Sequence, residues 1–221
     1  MKKTAAIFIM MLIVFSLTAG SFYVGAGSGV GVNSIISGEN YRGYTYSPSS
    51  GYSLSADVLY SFNDWAGIGS GITLSGRNYV LERYYRGSAI QNLKIDNVFI
   101  EIPVLAVFTT PSYKGFSLFG SVGGYAGFWA WGKEKGESSG INMSEASSVD
   151  QKTDLSRRNR FEAGFRAKLG CSVDFSRLKV QFSLGYDLSL TDMNLSQKKG
   201  GYPLYNSTFT VGCALMWRLT R

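Results

Sequence analysis

Apolar and polar residues alternate one by one through much of the chain. From Phe161 to Phe175, "FEAGFRAKLGCSVDF", one face carries Phe161, Ala163, Phe165, Ala167, Leu169, Cys171, Val173 and Phe175, and the other carries Glu162, Arg166, Lys168, Ser172 and Asp174. The next run, "LKVQFSLGYDLSL", sets Leu178, Val180, Phe182, Leu184, Tyr186 and Leu188 against Lys179, Gln181, Ser183, Gly185, Asp187 and Ser189. A two-residue period is that of a strand with unlike faces. The same reading predicts eight strands, at 22–32, 52–62, 65–75, 97–108, 116–131, 161–174, 178–189 and 207–219. Each is long enough to cross a bilayer, because a tilted spanning strand needs about 9–11 residues.

The connections between these strands alternate in length. Residues 33–51, 76–96, 132–160 and 190–206 form long ones, whereas "ND", "TTPSYKG" and "FSR" are short turns. In an up-and-down antiparallel sheet this places every long loop at one end and both termini at the other. Even strand number, short turns and long loops are the pattern of a bacterial outer-membrane barrel. The fold class expected is therefore all-β, an eight-stranded antiparallel transmembrane barrel spanning residues 21–221. Residues 1–20 are expected to be a secretory signal peptide, since Lys2 and Lys3 precede an apolar run from Ala5 to Leu17 and the small residues Thr18, Ala19 and Gly20.

Glycine sharpens this picture. "SFYVGAGSGVGV", Ser21 to Val32, carries glycine at 25, 27, 29 and 31, every second residue. A dinucleotide-binding loop needs G-x-G-x-x-G between strand and helix, and this spacing does not fit it. Gly67, Gly69 and Gly71 repeat the stripe. An eight-stranded barrel is only wide enough for side chains to fill, so such stripes either leave volume for larger residues, with Tyr23, Leu59, Phe99, Trp129 and Arg166 as candidate fillers, or line a narrow cavity. The rival architecture is a soluble exported barrel with its apolar face inward. Aromatic residues near strand ends, such as Tyr60, Phe62, Phe128, Tyr186 and Trp217, favour a lipid-facing girdle instead.

Charge adds candidate chemistry. The predicted inward set carries Asp57, Glu101, Glu162 and Asp187 against Arg166, Lys168 and Lys179, a nearly balanced group, as an enclosed polar interior requires. Proton or ion conduction along the same residues is the alternative. The formal charge is +7, or +5 once Lys2 and Lys3 leave. Arg77, Arg83, Arg86, Lys133, Lys135, Arg157, Arg158, Arg160, Lys198 and Lys199 fall in the long loops or at their edges. They read either as a solvated surface or as contacts for anions such as lipid phosphates or host polyanions. Arg77, Arg83, Arg86, Arg157 and Arg158 are the candidate loop contacts. Residues 132–160, polar and serine-rich, are expected to be mobile. Pro103 lies within a predicted strand, where a bulge is expected. Cys171 and Cys213 fall on strands separated by another, too far apart for a disulfide. The sequence contains no histidine, which excludes Ser-His, Asp-His and His-metal sites. No enzyme activity, cofactor, metal or nucleic-acid partner is assigned.

Three stretches resemble the small outer-membrane β-barrel proteins, in particular the PorT-like and porin-family barrels common in Bacteroidota and spirochaetes. They are "NVFIEIPVLAVF" at 97–108, the glycine- and aromatic-rich "GFSLFGSVGGYAGFWAWG" after it, and "TVGCALMW" near the end. The last is similar to that family's assembly signal, with Thr210, Gly212, Leu215 and Trp217 at its key positions, although Arg218 to Arg221 follow it. The resemblance implies insertion by the barrel-assembly machinery and outer-membrane lipids as surroundings, and little about a ligand; an extracellular or host ligand is an open partner, not identified by the sequence. It also suggests an accessory role in secretion. Two function classes remain: a filled barrel serving surface interaction or envelope integrity, and a small porin-like channel for small or apolar solutes.

Overall fold

A computed structural model of the chain describes residues 20–37, 44–85, 88–139, 146–153, 159–193 and 203–219. Its strands are β1 (Ser21–Ser37), β2 (Tyr44–Ser61), β3 (Ala66–Gly76), β4 (Tyr79–Tyr85), β5 (Ser88–Thr109), β6 (Phe116–Ser139), β7 (Ala146–Lys152), β8 (Phe161–Phe175), β9 (Leu178–Ser189) and β10 (Leu204–Arg218). Eight of them close a ring in the order β1, β2, β3, β5, β6, β8, β9, β10, with β10 pairing back onto β1 from Tyr23↔Arg218 to Ser37↔Leu204. Every pairing is antiparallel.

The apolar parity faces outward. Val30, Leu54, Ile72, Ile102, Val104, Val122, Leu169, Leu184 and Val211 are exposed in a band around the ring. Aromatic residues fringe it at both ends: Phe62, Trp65, Phe108, Phe116, Phe175 and Trp217 toward the short turns, and Tyr52, Phe128, Trp131, Phe161, Tyr186 and Phe209 toward the long connections. In water this band would cost on the order of 25 cal/mol per Å² of exposed apolar surface. Lipid removes that cost, and the soluble alternative with its apolar face inward is overturned.

The strands run past the band at the long-connection end. β6 is 24 residues long, which at about 3.3 Å per residue and about 40° of tilt rises roughly 60 Å, against an apolar band about 25 Å tall. All four expected loops are therefore partly strand: residues 33–51 hold the end of β1 and the start of β2, and 190–206 hold the start of β10. Residues 76–96 hold β4 and the start of β5, and 132–160 hold the end of β6 and all of β7, which pairs from Lys133↔Lys152 to Ser139↔Ala146. Above the lipid the outer face meets water and carries charge while the inner face stays apolar at Tyr79, Leu93 and Ile95, so the contrast that marks a spanning strand reverses.

Two irregularities set which way side chains point. Seen from β5, β4 continues β3 in one register, Gly76↔Val98 and Tyr79↔Ile95. Seen from β2, the three residues Ser49 to Gly51 stand opposite only Arg77 and Asn78, between Tyr52↔Gly76 and Pro48↔Tyr79. On β6, the pairs Val98↔Trp131 and Phe99↔Trp129 leave Ala130 as an extra residue, so Trp129 points inward and Trp131 outward. Pro103 carries no register shift; instead the β3–β5 pairs lapse between Ser70↔Val104 and Thr73↔Glu101, and the Ser70 hydroxyl donates to the Pro103 carbonyl at 2.8 Å. The missing amide is thus met by a gap in the ladder rather than the expected bulge. Cys171 and Cys213 are free and both stand opposite Phe182 of the strand between them.

The inward glycines make room for larger neighbours. A Cβ at Gly170 would sit 2.8 Å from the Phe119 ring, and one at Gly164 would collide with the Leu188 carbonyl oxygen and sit 2.7 Å from the Tyr125 hydroxyl. Gly164→Ala is expected to destabilise the barrel by about 1–3 kcal/mol through overpacking. Gly124→Ala, on the outward face with its nearest neighbour 3.7 Å away, should stay within about 0.5 kcal/mol. Urea midpoints of the two refolded variants check the contrast.

Candidate functional site: the closed lumen and its charged layer

The interior is layered, and one strand shows the order. Read from the short-turn end, the inward residues of β5 are Val107, Leu105, Pro103, Glu101, Phe99, Asn97, Ile95 and Leu93. Val107 and Leu105 join Tyr23, Leu59 and Met216 in a small apolar floor. Phe99, Ile95 and Leu93 join Ile35, Tyr79, Trp129, Met193 and Leu204 in an apolar ceiling. Phe99 and Trp129 stack with ring centres 5.6 Å apart, and Trp129 is 0% exposed.

Glu101 lies between these layers in a network of buried charges. Arg77 reaches Glu101 at 2.7 Å and Asp187 at 3.5 Å, and also pairs with Glu162. Arg166 clamps Asp187 with two hydrogen bonds of 2.7 Å and bonds Glu101 as well. The Tyr125 hydroxyl donates to Glu162 at 2.7 Å, and the Asn206 amide donates to the other carboxylate oxygen at 2.6 Å. Asn206 in turn accepts from Asn33, whose carbonyl oxygen accepts from Thr208 at 2.7 Å. Both guanidinium groups lie over the Tyr125 ring, at 5.1 and 5.2 Å. Two arginines thus meet three carboxylates, and the side chains span the lumen from β1, the β3–β4 junction, β5, β6, β8, β9 and β10.

Arg77 corrects the sequence reading. Expected as a loop cation available to an external anion, it is 0% exposed and at the centre of the interior network. The reason is that β3 and β4 form one continuous line against β5, so Arg77 keeps the inward parity of Thr73 and Ser75. The inward odd-numbered series Gly67, Gly69, Gly71, Thr73, Ser75, Arg77, Tyr79 was the available signal. Arg83 lies half-buried in β4. Arg86, Arg157 and Arg158 lie outside the described residues.

The other predicted interior charges make no salt bridge to this network among the described residues, although Lys168 follows Arg166 on the same face of β8. Asp57 accepts from the Ser55 hydroxyl at 2.6 Å, and Asp57 and Lys168 line a cavity of about 90 Å³ together with Ser121 and Gln181. Lys179 sits near the short-turn end, 3.6 Å from Asp174 and 4.9 Å from the Tyr23 ring centre. There a vestibule of about 500 Å³ opens among Ser21, Asn63, Asp64, Thr110, Lys179 and Arg218. Of the predicted assembly-signal residues, Thr210 and Gly212 point inward, whereas Leu215 and Trp217 are exposed toward lipid on the strand that closes the ring. Outside the membrane span, the Lys133 ammonium 2.6 Å from Asp150 holds that carboxyl below the usual range.

A closed antiparallel ring, an outward apolar band with aromatic fringes and an enclosed polar layer define an integral outer-membrane β-barrel protein. The chain belongs to the outer membrane protein beta-barrel domain family, whose sequence profile matches residues 16–194. Among solved structures it is similar to the outer membrane protease OmpT of Escherichia coli, at 8% identity and a TM-score of 0.52 over 90% of this chain and 97% of that one. It is also similar to OprG of Pseudomonas aeruginosa, at 12% identity and 0.48 over 90% and 96%. Neisserial surface protein A matches at 13% identity and 0.46 over 88% and 97%. At these identities the likeness is one of fold. No curated protein matches the sequence.

Proposed function

We propose that this protein is a closed, non-enzymatic outer-membrane barrel whose role lies at its long-connection face, in surface interaction or envelope integrity, rather than in passing solutes. The observation that carries the reading is the occlusion of the lumen by two layers in series: Arg77, Glu101 and Arg166 below, Phe99 and Trp129 above, all 4% exposed or less. Each carboxylate of the charged layer is engaged by an arginine, which supports a packed core rather than a proton or ion path. The absence of histidine from the sequence and the pairing of the inward carboxylates support a role without catalysis.

Refolded mature protein, shown to be folded by heat-modifiable gel migration, is expected to give no reproducible conductance steps in planar bilayers and no solute-dependent swelling of liposomes. Stable unitary channels would sink this reading and establish a small porin-like conductor lined by the glycine stripes.

A further inference from the structure

The outer wall above the aromatic fringe carries an arrangement that a closed lumen does not explain. On the face continuous with Ile100 and Phe128, the β5–β6 ladder sets Lys94 directly opposite Lys135, and the β6–β7 ladder sets Lys133 directly opposite Lys152. Like charges directly opposite each other destabilise a sheet, and here two such pairs are adjacent. Two carboxylates answer them in part, Asp96 directly opposite Lys133 in the β5–β6 ladder and Asp150 directly opposite Lys135 in the β6–β7 ladder. Lys133 meets Asp150 at 2.6 Å and Lys94 meets Asp96 at 3.7 Å, while among the described residues Lys135 and Lys152 form no salt bridge. Arg160 adds a further cation at the lower edge, its guanidinium 4.3 Å from the centre of the outward Phe128 ring and hydrogen-bonded to the Trp129 and Ala130 carbonyls.

The height of this patch matters. Trp131 is the last large apolar residue of the β6 outer face. Lys133 and Lys135 follow it on the same face at two-residue steps, which places them roughly 5 and 10 Å farther from the membrane centre at about 3.3 Å per residue and about 40° of tilt. The polar headgroup layer occupies roughly 5–8 Å beyond the hydrocarbon core. Lys133 therefore stands at the level of the lipid phosphates, Lys135 and Lys94 stand just above it with side chains long enough to reach down, and the apolar residues beneath them stand where acyl chains lie.

We propose that Arg160, Lys133, Lys152, Lys135 and Lys94 form a binding site for the phosphates of an outer-leaflet lipid headgroup, held against the side of the barrel with its acyl chains along Ile100, Phe128 and Phe161. A phosphate seated between two facing lysines turns a repulsive pair into a bridged one through charge-assisted hydrogen bonds. Two lysine pairs one rung apart favour a headgroup with two phosphates over a zwitterionic one. This deepens the surface role above by naming a lipid as partner, yet it rests only on the barrel's place in the outer membrane and holds whether or not the lumen conducts.

The test is retention of bisphosphorylated lipid A by the refolded mature barrel in detergent, counted per barrel by native mass spectrometry. A fully dephosphorylated analogue is the reference. The Lys135→Gln/Lys152→Gln variant is expected to keep the heat-modifiable gel shift and lose retention at least tenfold. In lipid-free detergent its urea midpoint should match that of the unaltered protein, since the repulsions lost at Lys94 and Lys133 offset the attraction Lys135 loses to Asp150. Arg157→Gln/Arg158→Gln, in the expected loop site, should retain the lipid fully, and inorganic phosphate at the lipid's concentration should not displace it. Equal retention of the phosphate-free analogue, full retention by the lysine variant, or loss confined to the arginine variant overturns the proposal. Displacement by inorganic phosphate also overturns it, in favour of a free-anion site.

Discussion

Replacing Arg77 with alanine is expected to destabilise the refolded barrel by about 3–5 kcal/mol, the cost of leaving buried charges without their partner. Three carboxylates converge on this guanidinium, Glu101, Glu162 and Asp187, and Arg77 is 0% exposed. With it gone, Arg166 alone faces Glu101 and Asp187, and Glu162 keeps only the neutral donors Tyr125 and Asn206. Glu162→Gln in the Arg77→Ala background should cost less than Glu162→Gln alone, with a coupling energy in the range of about 0.5–3 kcal/mol found for residues in one network. Urea unfolding in detergent, followed by the gel shift, measures all four corners of the cycle. A single-variant cost below about 0.5 kcal/mol is the value for an exposed loop residue, and would place Arg77 in solvent after all.

Trp129→Ala should be similarly severe, about 3–5 kcal/mol, because it empties a fully buried site in the ceiling of the lumen. The indole stacks on Phe99 and its N–H donates to the Trp131 carbonyl at 3.0 Å. Trp131→Ala is expected to cost less, since that ring is 54% exposed on the lipid-facing wall and leaves no cavity. Fluorescence separates the two rings without unfolding. Acyl chains carrying bromine should quench Trp131 and Trp217 and spare Trp129. Equal quenching of Trp129 and Trp131 would mean that the strand keeps strict alternation through Ala130, and that the ceiling described above does not form.

These two residues also mark where the sequence stops being informative. Strict alternation through "FWAWG" puts Trp129 and Trp131 on one face; the one-residue excess at Ala130 separates them, and nothing in that stretch announces a bulge. Arg77 follows a glycine and precedes an asparagine, a pairing that reads as a turn, whereas β5 holds both residues in register through the Arg77 amide and the Asn97 carbonyl at 2.9 Å. Asn206 lies in a glycosylation-like triplet, yet its side chain is 0% exposed and bonded to Glu162.

The sequence by itself determined the strand count of the ring, the outward face of each spanning strand, the placement of long connections at one end and some of the large residues that fill the lumen, Tyr23, Leu59, Phe99, Trp129 and Arg166. It could do so because a spanning strand has lipid on one side and a crowded polar interior on the other, and that contrast is written residue by residue. Only the tertiary structure decided that Arg77 belongs to the interior, that β4 and β7 extend the sheet beyond the membrane, and that facing lysines meet on the outer wall. Those outcomes depend on register between strands far apart in the chain. Above the lipid the outer face turns polar while the inner face stays apolar at Tyr79, Leu93 and Ile95, so the pattern that identifies a spanning strand is reversed there and the same reading misses it.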